Sequence, residues 1–180
     1  MHQATFDMTR MLIRPGRADD ALCLGVLATH VFLGTYARNG ITTTIATEVR
    51  SAFSTEAFAA LLSAPDTQLH VAEIGGHSVG FVQTTLGTQQ ALAPTGQPVE
   101  LERLYVQEPF THRGIGKALL QAAEVAAMQQ AAQVMWLSAW VGNERALAFY
   151  VAQGYEDCGE VMFHMQGQAI PNRVLSKRLR

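Results

Sequence analysis

Apolar and polar positions along the chain change period several times, and each change marks a predicted element. The first apolar run, Arg10 to Arg14, is stopped by Pro15 and Gly16 and predicts a short strand. Asp19 or Asp20 can then cap a helix through LCLGVLATHVF, which Asn39 and Gly40 break. A polar helix is predicted from Thr42 to Ser51, and Ser54 caps a third through AFAALL that ends before Ala64 and Pro65. Leu69 to Ile74 and Ser78 to Leu86 read as strands joined at Gly75, Gly76 and His77, a hairpin signature. The Gly-, Pro- and Thr-rich segment from Gly87 to Pro98 predicts a mobile loop open to functional use. After a strand from Glu100 to Val106, residues Ile115, Leu119, Ala122 and Ala126 recur at helical spacing and predict a helix with one stripe on a sheet. Val134 to Trp140 is almost unbroken in apolar residues, as in a strand covered on both faces. Asn143 caps a helix through ALAFYVAQ that Gly154 ends, and strands follow at Glu156 to Met165 and Arg173 to Leu179. This order predicts an α/β (α+β) fold with a mixed sheet and helices on both faces.

Composition narrows the function classes. In 180 residues that are 48% hydrophobic and 16% charged, one substantial core is expected, hence one domain over residues 1–180. A net charge of −2 gives no electrostatic footprint for nucleic acid. The basic residues between Arg173 and Arg180 alternate with Val174, Leu175 and Leu179 and read as a solvated strand face. Cys23 and Cys158 are too few and too scattered for a disulfide framework or a metal site, which fits a reducing cytoplasm. No run reaches the length of a membrane span, and MHQATFDMTR lacks the layout of a signal peptide, so a soluble cytoplasmic protein without membrane partners is expected.

The stretch VELERLYVQEPFTHRGIGKA, Val99 to Ala118, carries the clearest chemistry. A strand runs into a Pro-containing loop and then a helix start with Gly114 and Gly116. Missing Cβ atoms let an anion approach the first-turn amides, which the helix dipole makes attractive to negative charge. A nucleoside-triphosphate loop would need a glycine at Thr111 and a hydroxyl at Ala118, and a dinucleotide fingerprint would need a glycine at Leu119. Both readings fail on spacing. What remains resembles the coenzyme A loop of the GCN5-related N-acetyltransferase (GNAT) family, Gln or Arg, two residues, Gly, one residue, Gly or Ala, with Thr111 at the Gln/Arg position.

A second block, WLSAWVGNERALAFYVAQGYE, resembles the other half of the same core in Asn143, Phe149, Tyr150, Gly154 and Tyr155, about 30 residues after the first. LERLYV, FLGTY and FHMQGQAIPNRVLSKRL look like the branch containing PaiA-type polyamine acetyltransferases. The resemblance implies a single-domain GNAT fold whose mostly antiparallel sheet contains one splayed parallel pair, Glu100 to Val106 and Val134 to Trp140, with acetyl-CoA as cofactor. It places Leu104, Tyr105 and Val106 along the pantetheine arm. The pyrophosphate would rest on the amides of His112, Arg113, Gly114, Ile115, Gly116, Lys117 and Ala118, with Thr111 a further cofactor-binding residue at the Gln/Arg position. Asn143 would touch the pantetheine, cap its own helix, or do both.

Acetyl transfer to an amine needs a base, an oxyanion donor and an acid. Glu100 and Glu102, alternating against Leu101 and Arg103, are the base candidates, Glu100 matching the family's usual strand carboxylate and Glu102 the alternate. As plain chemistry they are equally a pair of solvated strand carboxylates. Tyr150, a phenol protonated at neutral pH, is the acid the resemblance implies, against the simpler role of a core aromatic. The backbone N–H near Val106 would hold the oxyanion. His112 and His164 lack a nucleophile partner and read as incidental.

The implied activity is acetyl transfer to the primary amine of a small molecule, by direct attack in a ternary complex. Glu48 and Glu56 with the strand carboxylates favour a polyamine. A CoA-binding sensor without turnover and transfer to a protein, an amino acid or a charged tRNA are the alternatives, and a homodimer is left open. The acceptor surface is expected on the helices between Leu22 and Leu62 and on the Gly87 to Pro98 loop.

Overall fold

A computed structural model describes residues 11–180. Strand β1 (Met11–Pro15) leads through a short turn at Ala18–Asp20 into α1 (Ala21–Tyr36), α2 (Thr43–Ala52) and α3 (Thr55–Ser63). Then come β2 (Thr67–Ile74), β3 (His77–Leu86), β4 (Pro98–Val106), α4 (Ile115–Gln129), β5 (Val134–Trp140), α5 (Glu144–Ala152), β6 (Glu156–Met165) and β7 (Gln168–Arg178). Arg10, the expected start of the first strand, lies outside the described residues. Pro15 ends β1 instead of preceding its end. It is tolerated because β1 is the edge strand of the sheet among the described residues.

The caps explain the helix starts. Thr42 accepts the amide of Ile45 at 3.3 Å, and Ser54 accepts that of Ala57 at 3.1 Å. Asp20 stands at the N-cap of α1 without capping it through its side chain. Its carboxylate is taken by Arg14 at 2.7 and 2.8 Å and by the Arg17 amide at 2.7 Å.

Among the described residues one seven-stranded sheet runs β1-β2-β3-β4-β5-β7-β6. All neighbours are antiparallel except β4 and β5. Cores lie on both faces. One joins the sheet to α4 and α5 through Leu101, Ile115, Leu119, Leu137 and Tyr150. The other packs Leu24, Phe32, Phe53, Phe58 and Phe81 beneath α1, α2 and α3.

Several expectations need correction. The buried stripe of α4 is Ile115, Leu119, Leu120, Ala123 and Ala127. Ala122 and Ala126 are half-buried, because the face centres one residue later than the sequence spacing suggested. Residues 134–137 of β5 are buried, but Ser138, Ala139 and Trp140 are only partly covered. The C-terminal strand begins at Gln168, since Gln166 and Gly167 adopt positive φ and turn β6 directly into β7. It lies inside the sheet, and two of its basic residues are ion-paired, Arg173 with Asp157 at 2.7 Å and Lys177 with Glu124 at 2.8 Å, while Arg178 donates to Thr95 O at 3.5 Å. The segment from Ala18 to Tyr36 is long and apolar enough to cross a membrane by length and composition. Here Leu24, Leu27, Ala28 and Phe32 spend that apolarity on the core.

Gly25 sets how closely α1 approaches the turn after α2. A Cβ there would lie 2.6 Å from the carbonyl oxygen of Phe53. Gly25→Ala gains helix propensity of about 1 kcal/mol but must push backbone away from backbone, and overpacking of this kind costs about 1–3 kcal/mol. A lower denaturation midpoint is expected. A midpoint equal to or above the parent's would contradict this close approach.

Candidate active site

The site grows from a break in sheet pairing. β4 and β5 pair from Pro98↔Val134 to Glu100↔Trp136 and then part. Each keeps its outer partner: β4 stays on β3 to Val106, and β5 stays on β7 to Trp140. Among the described residues, the inner edge of β4 from Leu101 to Val106 therefore has no strand beside it. The Gln107 amide donates to Val79 O on β3 at 3.0 Å. Because amide directions alternate along a strand, the N–H groups of Val106 and Leu104 point the other way, into the gap. These are hydrogen-bonding groups for an extended guest.

A β-bulge re-aims the side chains near the vertex. Thr84 pairs with Leu101 and Gln83 with Arg103, so Glu102 is the extra residue on β4. Glu100, which pairs with Thr85, Arg103, which pairs with Gln83, and Tyr105, which pairs with Phe81, consequently share the face beneath α1 to α3. The expected simple alternation of Glu100 and Glu102 against Arg103 does not hold. Glu102 is exposed and accepts a hydrogen bond from the Thr85 hydroxyl. Arg103 donates to Gln83 Oε1, and its guanidinium carbon sits 5.4 Å from the Phe53 ring centre.

Glu100 is half-buried at the vertex, the last β4 residue paired to β5. Burial, and secondarily the negative charge of Glu102, push its carboxyl up to about 7. Among the described residues it has neither a hydrogen-bond donor nor an ion-pair partner. That is the state of a proton acceptor poised near neutral pH.

Beyond the vertex lies a cleft of about 820 Å³, lined by Leu104, Tyr105, Val106, Thr111, His112, Gly114, Gly116, Lys117, Asn143 and Tyr150, whereas Glu100 and Glu102 are not among its lining residues. Tyr150 is 6% exposed, and burial raises its phenol well above the usual range, so it stays protonated. Its ring meets Phe149 at 5.2 Å and Tyr155 at 5.6 Å. Asn143 caps α5 by accepting the Ala146 amide at 3.3 Å, and it also lines the cleft.

At the mouth, no side chain caps α4. Its N-cap, Gly114, has φ 80°, and His112 two residues earlier has φ 59°. Successive amides in such a turn make a concave anion seat at the positive end of the helix. A Cβ on Gly114 would meet nothing within 4 Å, so the space above the seat is open. These features fit the pyrophosphate of coenzyme A. The seat is shorter than the sequence implied, since the Ala118 amide already donates to Gly114 O at 3.0 Å. Ile115 is buried beneath it, and Arg113 turns out with its guanidinium carbon 6.0 Å from the Phe110 ring centre. Thr111 spends its hydroxyl on Glu108 O at 2.9 Å.

The end of α1 belongs both to the FLGTY landmark and to the helices between Leu22 and Leu62 on which the acceptor surface is expected. Val31, Gly34, Thr35 and Tyr36 line the cleft, with His30 and Arg38 on its rim. Tyr36 reaches the ring of Trp140 at 5.8 Å and so bridges the helical layer to the parted strand. The Gly87–Pro98 loop, by contrast, is not part of the lining. Thr88 O accepts from Trp136 Nε1 at 2.8 Å and Gln97 N donates to Gln133 Oε1 at 3.1 Å, which ties the loop to the start of β5, away from the gap. Glu56 sits in the exposed first turn of α3, which packs on α1 and β2. Glu48 is nearer, bonded from Gln166 on the β6–β7 turn at 3.2 Å.

Comparison with known proteins gives a consistent set of similarities. Residues 36–155 match the model of the acetyltransferase (GNAT) family. The uncharacterized N-acetyltransferase of the pepI 3′ region of Lactobacillus delbrueckii subsp. lactis is 27% identical over 118 residues, 66% of this chain and 68% of that protein. The PaiA N-acetyltransferase of Thermoplasma acidophilum, solved with coenzyme A, superposes with a TM-score of 0.72 at 23% identity, over 93% of this chain and 98% of that one. Arabidopsis thaliana NAA60, solved with acetyl-CoA, gives a TM-score of 0.71 at 16% identity, over 94% and 98% of the two chains.

Proposed function

Because this chain belongs to the acetyltransferase (GNAT) family, we propose that it transfers the acetyl group of acetyl-CoA to the primary amine of a small molecule, a polyamine in the first instance, by direct attack in a ternary complex. The observation that carries the reading is the parted β4–β5 pair, with Glu100 at its vertex, Tyr150 in its wall and an uncapped helix at its mouth.

Acetyl-CoA, when bound, supplies an activated acetyl thioester and a thiolate leaving group. The amides of α4's first turn would hold its pyrophosphate, and the inner edge of β4 at Leu104 and Val106 would pair with its pantetheine. An amine with pKa near 10 arrives as ammonium. Glu100, unpaired and tuned to about 7, takes that proton directly or through a water. The Val106 N–H, free of β3, stabilises negative charge on the acetyl oxygen. As the carbon–sulfur bond breaks, Tyr150 would give its proton to the departing sulfur, and the proton that the newly acylated nitrogen loses would restore the phenol.

Gly114→Val tests the seat. A branched residue is strained at φ 80°, and its methyl groups would occupy the open space above the amides. A loss of acetyl-CoA affinity on the order of tenfold or more is expected in a folded variant. Undiminished affinity would remove the seat from the account.

The polyamine reading rests on the sequence branch and on the carboxylates of Glu100 and Glu102 on β4 and Glu48 on α2, which lie outside the cleft lining. Arg103 lies on the same face but sits over the Phe53 ring and donates to Gln83. Thiol release from acetyl-CoA is measured with spermidine, free amino acids and arylamines. Spermidine should be preferred at low salt, with an apparent KM that rises with ionic strength as screening weakens its attraction. A clear preference for amino acids or neutral arylamines would overturn the acceptor class.

A further inference from the structure

The parted strands are joined at their far ends by a single ion pair. Glu108 follows β4 in the turn Glu108–Phe110, and Arg145 sits in the first turn of α5, after β5. Arg145 Nη1 donates to both carboxylate oxygens of Glu108 at 3.0 Å, so the pair spans the mouth of the cleft. The side chains are 59% and 70% exposed, and both line the cleft. Glu108 is the one acid among the described lining residues. Arg38 and Lys117 on the same lining have no carboxylate partner among the described residues. The mouth is thus a cationic ring carrying one acid on one of its cations.

We propose that this pair is an exchangeable latch: Glu108 holds Arg145 while the cleft is empty, and a phosphate group of the incoming cofactor displaces the carboxylate from the guanidinium. The proposal rests on the acetyl-CoA reading. An exposed ion pair contributes little to stability and is readily opened. A guanidinium binds a phosphate with the same two-pronged geometry it offers a carboxylate, and a dianion is the stronger partner. Glu108 therefore competes with the ligand and repels it. Arg145 is a binding residue whose strength is masked in the free protein.

The test is calorimetric titration of the purified protein with coenzyme A, dephospho-coenzyme A and pantetheine. Glu108→Gln should tighten coenzyme A roughly two- to fivefold, opposite to the loss expected of a removed brace. Arg145→Gln should weaken it on the order of tenfold and make the Glu108 substitution silent in the double variant. Arg145→Lys, which keeps the charge but not the fork, should fall between. An Arg145 effect lost with dephospho-coenzyme A assigns the 3′-phosphate, and one retained there but lost with pantetheine assigns the pyrophosphate. Each supports the latch. Coenzyme A binding that is unchanged or weaker in a folded Glu108→Gln protein overturns the latch alone, whereas a parent protein that does not bind coenzyme A overturns the acetyl-CoA reading and the latch with it.

Discussion

Glu100→Gln should lower kcat/KM for acetyl transfer by about 10²- to 10⁴-fold, the range for loss of a positioned base, while leaving acetyl-CoA binding intact. Glutamine keeps the volume and removes the proton acceptor at the vertex of the parted strands. The pH profile separates this from a packing effect. With the Glu100 carboxyl raised to about 7, the residue is protonated and inactive as a base below that pH and ionised above it. The parent's kcat/KM should therefore rise through about pH 7 and level off. In Glu100→Gln that rise disappears. Glu102→Gln should move the rise to lower pH without restoring an ordinary carboxylate value, because burial is the larger cause and remains. A Glu100→Gln enzyme with the parent's rate and profile would assign the base elsewhere.

Tyr150→Phe carries the second large effect, a fall in turnover on the order of ten- to a thousandfold. The phenol is buried, and among the described residues no hydrogen bond to its hydroxyl is recorded, so its removal leaves no orphaned partner. Stability and cofactor affinity should therefore stay at the parent's level. Because burial raises the Tyr150 pKa, its deprotonation should add no falling limb to the rate at neutral or mildly alkaline pH. If Tyr150→Phe turns over like the parent, Tyr150 serves packing against Phe149 and Tyr155, and another group protonates the sulfur.

What the sequence made legible were local features with a backbone cause. Gly114 and Gly116 after an apolar strand announce an uncapped helix start, and Asn143 ahead of an apolar helix announces a cap, because both effects act within a few residues. The mixed sheet with one parallel pair followed from the element order and the family resemblance. The bulge at Glu102 has no local signature, neither glycine nor proline, and arises from the register between β3 and β4. It decides which face Arg103 takes. The lining contributed by α1 depends on how that helix crosses the sheet, which Gly25 against Phe53 controls from far along the chain. The Gly87–Pro98 segment has the composition of a free loop, yet Trp136 and Gln133 hold it, contacts that composition cannot report.

The central claim is that the gap between β4 and β5 brings an acetyl thioester and an amine together over Glu100. Its most direct test is mass spectrometry of the products when the purified protein is given acetyl-CoA and an amine panel, with thiol release followed in parallel. The account predicts amine-dependent thiol release matched one-for-one by N-acetylated product, with both nearly abolished in Glu100→Gln. Tight binding of acetyl-CoA with no amine-dependent release and no acetylated amine would contradict it, and would make the chain a binder of the cofactor instead of an enzyme that uses it.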